Sequence, residues 1–226
     1  MSANLMSLAR SGGKFLKLFG DRKMMKPLPY DAEVEYLQGD GVARIMLDDR
    51  YTTEKKYIGI GITEESYTGR FAGSEQGRRA QYVGATSGSI EAKFSSPGSS
   101  IYVSVDGATP YKCYDYIADG VNVSISLDGN VLSSKATTAK IPSVATTNKM
   151  ELFAIRGASS STTGIVGTWA GLCYYFRLVT VEDETVVDLI PVRVGSVGYM
   201  YDRVSGKLYG NAADSGAFII GPDKTI

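Results

Sequence analysis

The feature that most constrains this chain is a recurrence of short runs in which apolar and polar residues alternate, each run closed by a turn signal. "AEVEYLQ", "ARIMLD", "KYIGIGITE", "AQYVGAT", "IEAKFSS", "SIYVSVDG", "VNVSISLDGNVLSS", "KMELFAIRG", "GLCYYFRLVTVEDETVVDLIPVRVG", "VGYMYD", "KLYGN" and "GAFIIGP" follow one another as far as Pro222. A period of two puts alternate side chains on opposite faces, which is the pattern of a half-buried strand. The clearest case sets Val121, Val123, Ile125 and Leu127 on one face, and Asp128-Gly129 then offers the positive φ angles of a two-residue hairpin turn. "YDRVSGKLYGN" predicts a second hairpin of this kind, turning at Ser205-Gly206. "SVATTNK" and "ASSSTTGIVG" read as polar loops. Roughly a dozen strands, with no helical period after residue 25, predict an all-β chain: a two-sheet antiparallel sandwich or jelly roll.

Composition narrows the chemistry. The 226 residues include no histidine, which excludes a Ser-His-Asp or Cys-His catalytic unit and any His-ligated metal. The two cysteines, Cys113 and Cys173, sit among aromatic residues and read as buried free thiols. No apolar run is long enough to span a membrane, and no secretory cleavage pattern is expected at the N-terminus.

Charge is balanced overall but uneven along the chain. Residues 1–26 hold six basic side chains against one acidic, a net of +5, so the remainder is −5. Arg10, Lys14 and Lys17 alternate with the apolar Phe15, Leu16, Leu18 and Phe19 around a Gly12-Gly13 break. This stretch is expected to be a partner-binding arm, and residues 27–226 a single domain. The arm lacks the interleaved aromatic and basic residues of a single-strand nucleic-acid binder, so no nucleic-acid partner is expected.

From "LPYDAEVEYLQGDGVARIML" onward the segments resemble, in order, the concanavalin A-like, laminin-G-like jelly-roll domain of phage virion proteins and of proteins from gut bacteria. "ISLDGNVLSS", "MELFAIRGASSS", "GLCYYFRLVTVEDETVVDLIPVRV" and "VGYMYDRVSGKLYGNAADSGAFIIGP" carry the rest, the last being the most specific. Gly221-Pro222 is expected to end the final strand where no further ladder bond is needed. Residues 65–120 match poorly and are expected to hold what is particular to this protein. The resemblance implies a concanavalin A-like lectin or glucanase fold.

Glucanases on this fold carry an E-x-D-x-x-E strand, which this sequence lacks. Glu33 and Glu35 share a face without a third member, and Glu182, Asp183 and Glu184 fall in an expected hairpin turn. No enzyme activity is therefore expected. A glycan site needs an aromatic plane and fixed polar partners, and the candidates are Trp169, Tyr111, Tyr114, Asp106 and Arg79. Asp48, Asp49, Asp115 and Asp119 do not form a dense acidic loop, so no metal or cofactor is expected. The implied role is a non-enzymatic virion protein, assembled in the host cytoplasm. Its arm would contact other virion proteins, in a multimeric array, and its domain would adhere weakly to host or mucosal glycans. A bacterial carbohydrate-binding module and an inert structural spacer are the alternatives.

Overall fold

The computed structural model describes residues 27–48, 55–65, 67–76, 79–96, 99–119, 122–136, 150–159, 162–180 and 182–225, with backbone alone for 73–76, 79–82, 94–96, 99–100, 156–159, 162–163 and 166. The arm, with Arg10, Lys14, Phe15, Leu16, Lys17, Leu18 and Phe19, lies outside the described residues, as does Asp49.

Among the described residues the chain forms strands and no helix. The first part runs β1 (Ala32–Glu33), β2 (Leu37–Gln38), β3 (Ile45–Met46), β4 (Lys55–Gly61), β5 (Gly69–Gln76), β6 (Arg79–Thr86), β7 (Ser89–Ser96) and β8 (Ser99–Val105). The middle runs β9 (Tyr114–Asp119), β10 (Asn122–Leu127), β11 (Asn130–Ala136), β12 (Glu151–Leu152), β13 (Ala154–Ser159) and β14 (Thr162–Thr168). The last part runs β15 (Leu172–Val179), β16 (Thr185–Val194), β17 (Val197–Asp202), β18 (Leu208–Tyr209) and β19 (Ile219–Ile220).

These strands make two sheets. The larger has the order β11-β10-β9-β4-β15-β16-β17-β18, with β1 on β16 and β2 joining β15 to β19. The smaller has the order β14-β13-β5-β6-β7-β8, with β12 bridging β3 and β5. Pairing is antiparallel except between β5 and β13, which run parallel. The sandwich is thus all-β and two-layered, as the alternation predicts.

The core is the inner face of both sheets. From the larger sheet come Ile58, Ile60, Tyr114, Tyr116, Val123, Ile125 and Phe176, and from the smaller Phe71, Val83, Ala85, Ile90, Ala92 and Val103, all buried. One end is filled by an aromatic chain. Trp169 meets Tyr67 edge-on at 4.9 Å and Phe71 at 6.0 Å, Phe71 meets Phe153 at 5.2 Å, and Phe153 meets Phe218 at 4.7 Å. Such tilted pairs align ring edges with ring faces and add to the burial energy.

Three expectations need correction. "ASSSTTGIVG", read as loop, is strand in its described residues: 158–159 end β13 and 162–167 belong to the edge strand β14, because backbone pairing between the two outweighs the Thr and Gly content. The turn after β17 is not a two-residue one. Residues 203–207 separate the strands, and only Gly206 has positive φ (74°). The buried carboxylate of Asp202 organises this loop, accepting from Val204 N (3.1 Å), Ser205 N (3.3 Å) and Ser205 Oγ (2.6 Å). Nor does ladder pairing stop at Pro222. Its carbonyl accepts from Glu35 N at 2.8 Å, and Lys224 N donates to Glu33 O at 2.9 Å. Residues 33–38 and 219–224 are therefore clasped together, which explains the regular β ending of the sequence.

Candidate functional site

The smaller sheet turns one face to the core and the other outward, and the outward face of β5–β8 carries an organised polar cluster. Arg70, Gly84, Glu91 and Ser104 are successive cross-strand partners on β5, β6, β7 and β8. A bulge in β5 between Arg70 and Ala72 lets Phe71 enter the core while Arg70 stays on the outer side. Gly84 has no side chain, so Arg70 reaches across β6. A Cβ at Gly84 would lie 2.3 Å from Gly69 O and 3.1 Å from Arg70 Cα.

Glu91 is the centre of the cluster, only 5% exposed on an outer face. Its Oε1 accepts from Thr86 Oγ1 at 2.6 Å and pairs with Arg70 Nη1 at 3.0 Å. Its Oε2 accepts from the Tyr102 hydroxyl at 2.8 Å. Arg70 Nη1 also donates to Ala85 O and Thr86 Oγ1, each at 3.1 Å. A buried carboxylate is stable only when paired and hydrogen-bonded, and both oxygens of Glu91 are so held. They are therefore committed to positioning their partners.

What this network positions is Tyr102. Its ring stands 46% exposed beside its cross-strand partner Lys93, with its hydroxyl end tethered to Glu91. Glu91 holds the Tyr102 phenol above the ordinary range, chiefly by accepting its hydrogen bond, with partial burial adding. Ser104 and Asp106 follow on the same face at every second residue. Asp106 is exposed and accepts from Ser89 Oγ at 3.0 Å. Among the described residues the face thus offers the Tyr102 ring as a fixed aromatic plane, rimmed by the Ser104 hydroxyl, the carboxylates of Glu91 and Asp106 and the cations Arg70 and Lys93. That set suits a ring with one apolar face and several hydroxyl groups.

The residues singled out from sequence are scattered by the fold. Trp169 is fully buried, its rim against Tyr67 and Phe71 and its Nε1 donating to Leu172 O at 3.4 Å, so it cannot stack on a sugar. Tyr114 is an inner-face residue whose hydroxyl accepts from Thr109 N at 2.8 Å. Tyr111 is exposed with φ 57°, but its N donates to Ile62 O beyond the end of β4, on the larger sheet. The loop from Asp106 to Cys113 crosses from one sheet to the other, which is why Asp106 and Tyr111 part company. Arg79 opens β6, and its side chain is outside the described residues. Of the four whose side chains are described, Asp106 alone joins the Tyr102 face. Arg70, Thr86, Glu91 and Tyr102 were missed, although all fall within the stretch 65–120 that departs from the family pattern. The signal was the polar phase of the alternation: Glu91 and Lys93 between Ile90, Ala92 and Phe94.

Among the described residues no three Cys, Asp or Glu side chains gather as metal ligands. Asp115 instead accepts from Tyr175, and Asp119 caps Asn122. Both cysteines are free thiols, Cys173 buried and Cys113 half-buried.

No protein-family model matches the sequence, and neither does any curated protein. Solved structures do match. Domains LG4-5 of the mouse laminin alpha1 chain share 10% identity over 87% of this chain and 48% of theirs, with a TM-score of 0.49. A Bacteroides ovatus ATCC 8483 protein, provisionally described as carbohydrate-binding, shares 11% identity over 87% of this chain and 61% of its own, with a TM-score of 0.52. The chain thus spans about half and three-fifths of these two proteins. At such identities the likeness is one of fold alone, and that to the Bacteroides ovatus protein agrees with the two-sheet, all-β jelly roll described above.

Proposed function

We propose that this chain is a non-enzymatic adhesion module that binds neutral glycans weakly on the outer face of β5–β8. The carrying observation is the exposed Tyr102 ring, its hydroxyl held at 2.8 Å by a Glu91 that is itself locked by Arg70 and Thr86. A pyranose would lay its apolar face on that ring, and its hydroxyls would meet Ser104, Asp106 and Lys93 at the rim. Opposing charges at the rim favour a neutral sugar over a charged one. Weak binding on a sheet face is made useful by many copies.

The module's setting is proposed to be a phage virion, capsid or tail, with residues 1–26 gripping a neighbouring virion protein. The order of the C-terminal segments and the +5 charge of the arm support this setting. A bacterial carbohydrate-binding module is the second reading, favoured by the fold likeness to the Bacteroides ovatus protein. It shares the site and differs only in attachment.

A glycan-array screen of the whole chain against its Tyr102→Ala variant tests the reading. Binding to a defined neutral class that the substitution removes, with an unchanged circular dichroism spectrum, is expected. Equal binding by both proteins would remove Tyr102 from the site, and silence across a multivalent array would leave the spacer reading.

A further inference from the structure

The outer face of the larger sheet carries a cation, Arg177, that makes no ion pair among the described residues. Tyr57, Gly59 and Gly61 lie on the outward side of β4, since Ile58 and Ile60 are in the core. A bulge in β15 between Cys173 and Tyr175 turns two consecutive tyrosines to this same side. A Cβ on Gly61 would lie 3.1 Å from the Tyr174 ring, and one on Gly59 2.5 Å from the Tyr175 ring. The glycines therefore make room for the rings. The Tyr175 hydroxyl crosses the bare Gly59 and donates to Asp115 at 2.8 Å.

Arg177 stands next to this aromatic strip. It is the cross-strand partner of Tyr57, and its guanidinium carbon lies 4.6 Å from the centre of that ring. Its partner on the other side is Asp188 of β16. Asp188, however, is engaged by Arg203, with Nε at 3.0 Å and Nη2 at 2.7 Å. Asp115, on the outer side of β9, is engaged by Tyr175. Arg177 makes no ion pair or hydrogen bond among the described residues. Its Nε is buried without a partner, and the residue as a whole is half-buried. A guanidinium braced on an aromatic ring, with no anion paired to it among the described residues, suits a carboxylate in bidentate geometry.

We infer that Arg177 anchors a second saccharide site, on the sheet opposite Tyr102, that takes acidic sugars through their carboxylate. The fork pairs with the carboxylate of a uronic or nonulosonic acid, and the sugar ring extends along the Tyr57 and Tyr175 side of the face. This inference does not rest on the Tyr102 reading, because the two faces share no residue.

The test is a binding titration of the whole chain with a glucuronate-terminated oligosaccharide and with its neutral glucose-terminated counterpart. Arg177→Gln, Arg177→Lys and Tyr102→Ala are measured beside the wild type, with folding checked by circular dichroism. Wild type is expected to prefer the acidic sugar at least tenfold. Arg177→Gln is expected to erase that preference, Arg177→Lys to keep part of it, and Tyr102→Ala to leave acidic-sugar binding intact. The inference is overturned if the wild type shows no preference, if no acidic sugar binds at millimolar concentration, or if folded Arg177→Gln keeps the preference. Loss of neutral binding alone in Tyr102→Ala separates the two sites.

Discussion

The Tyr102 hydroxyl donates to Oε2 of Glu91 across 2.8 Å, joining an exposed ring to a carboxylate that is nearly buried. Neither residue makes a site alone. The ring without the carboxylate would rotate freely, and the carboxylate without Arg70 and Thr86 would not tolerate its position. Removing the carboxylate as Glu91→Ala breaks the ion pair with Arg70 and removes the acceptor of the Tyr102 hydroxyl. Arg70 is part-exposed, so the loss of stability is expected near the lower end for a broken ion pair, about 2 kcal/mol. Urea unfolding measures it, and glycan affinity should fall in the same variant.

Tyr102→Phe separates the ring from its tether. It keeps the plane, deletes one hydrogen bond and leaves Oε2 of Glu91 without its donor, so a loss of about 1–2 kcal/mol is expected. Glycan affinity should drop less than in Tyr102→Ala. A Phe variant as weak as the Ala variant would mean that the hydroxyl, not the ring, makes the contact.

Alkaline pH should unfold the protein. Tyr67 and Cys113 are each pushed up to about 12 by burial, and burial also raises Cys173, Tyr174 and Tyr175. In the unfolded chain these groups ionise near 9 to 10, so above that pH the folded state holds more protons and stability falls. Lys56 opposes this. Burial lowers it to about 8, so its contribution improves as pH rises towards 10.5 and is then constant. Melting temperature is therefore expected to change little from pH 8 to 10 and to fall steeply above about 10.5. A melting temperature still level at pH 11.5 would contradict this burial of the phenols and thiols.

Trp169 is the only tryptophan and is fully enclosed. Its emission should be blue-shifted and insensitive to saccharide. Trp169→Ala should remove about 3–5 kcal/mol by opening a cavity between Tyr67, Phe71 and Phe153. Quenching of the native emission by a bound glycan would place the ligand elsewhere than on Tyr102.

Asp202 holds the loop between β17 and β18 and accepts from Asp188 N at 3.0 Å as well. Asp202→Ala leaves several donors without their acceptor and is expected to lower stability by about 2–3 kcal/mol, measurable by thermal unfolding. Binding at Tyr102 should be unaffected in the folded fraction.

Local chemistry made much of the fold legible. Asp128 and Gly129, at φ 51° and 78°, form the hairpin turn that the sequence announces, and β10 buries Val123 and Ile125 as alternation requires. What was hidden depends on distant partners. β14 is a strand because β13 lies beside it, and Trp169 is core because Tyr67 and Phe71 close around it. The site was hidden for the same reason. Arg70 and Glu91 are 21 positions apart and meet only because a bulge in β5 and a bare Gly84 bring them within 3.0 Å. No spacing rule connects them.

The most direct test is an amide chemical-shift titration of the chain with the best neutral glycan from the array. The account predicts perturbed amides on β5 to β8 around Arg70, Glu91, Tyr102 and Ser104. Shifts confined to the larger sheet or to the loop at Tyr111, or no shifts at saturating glycan, would contradict it.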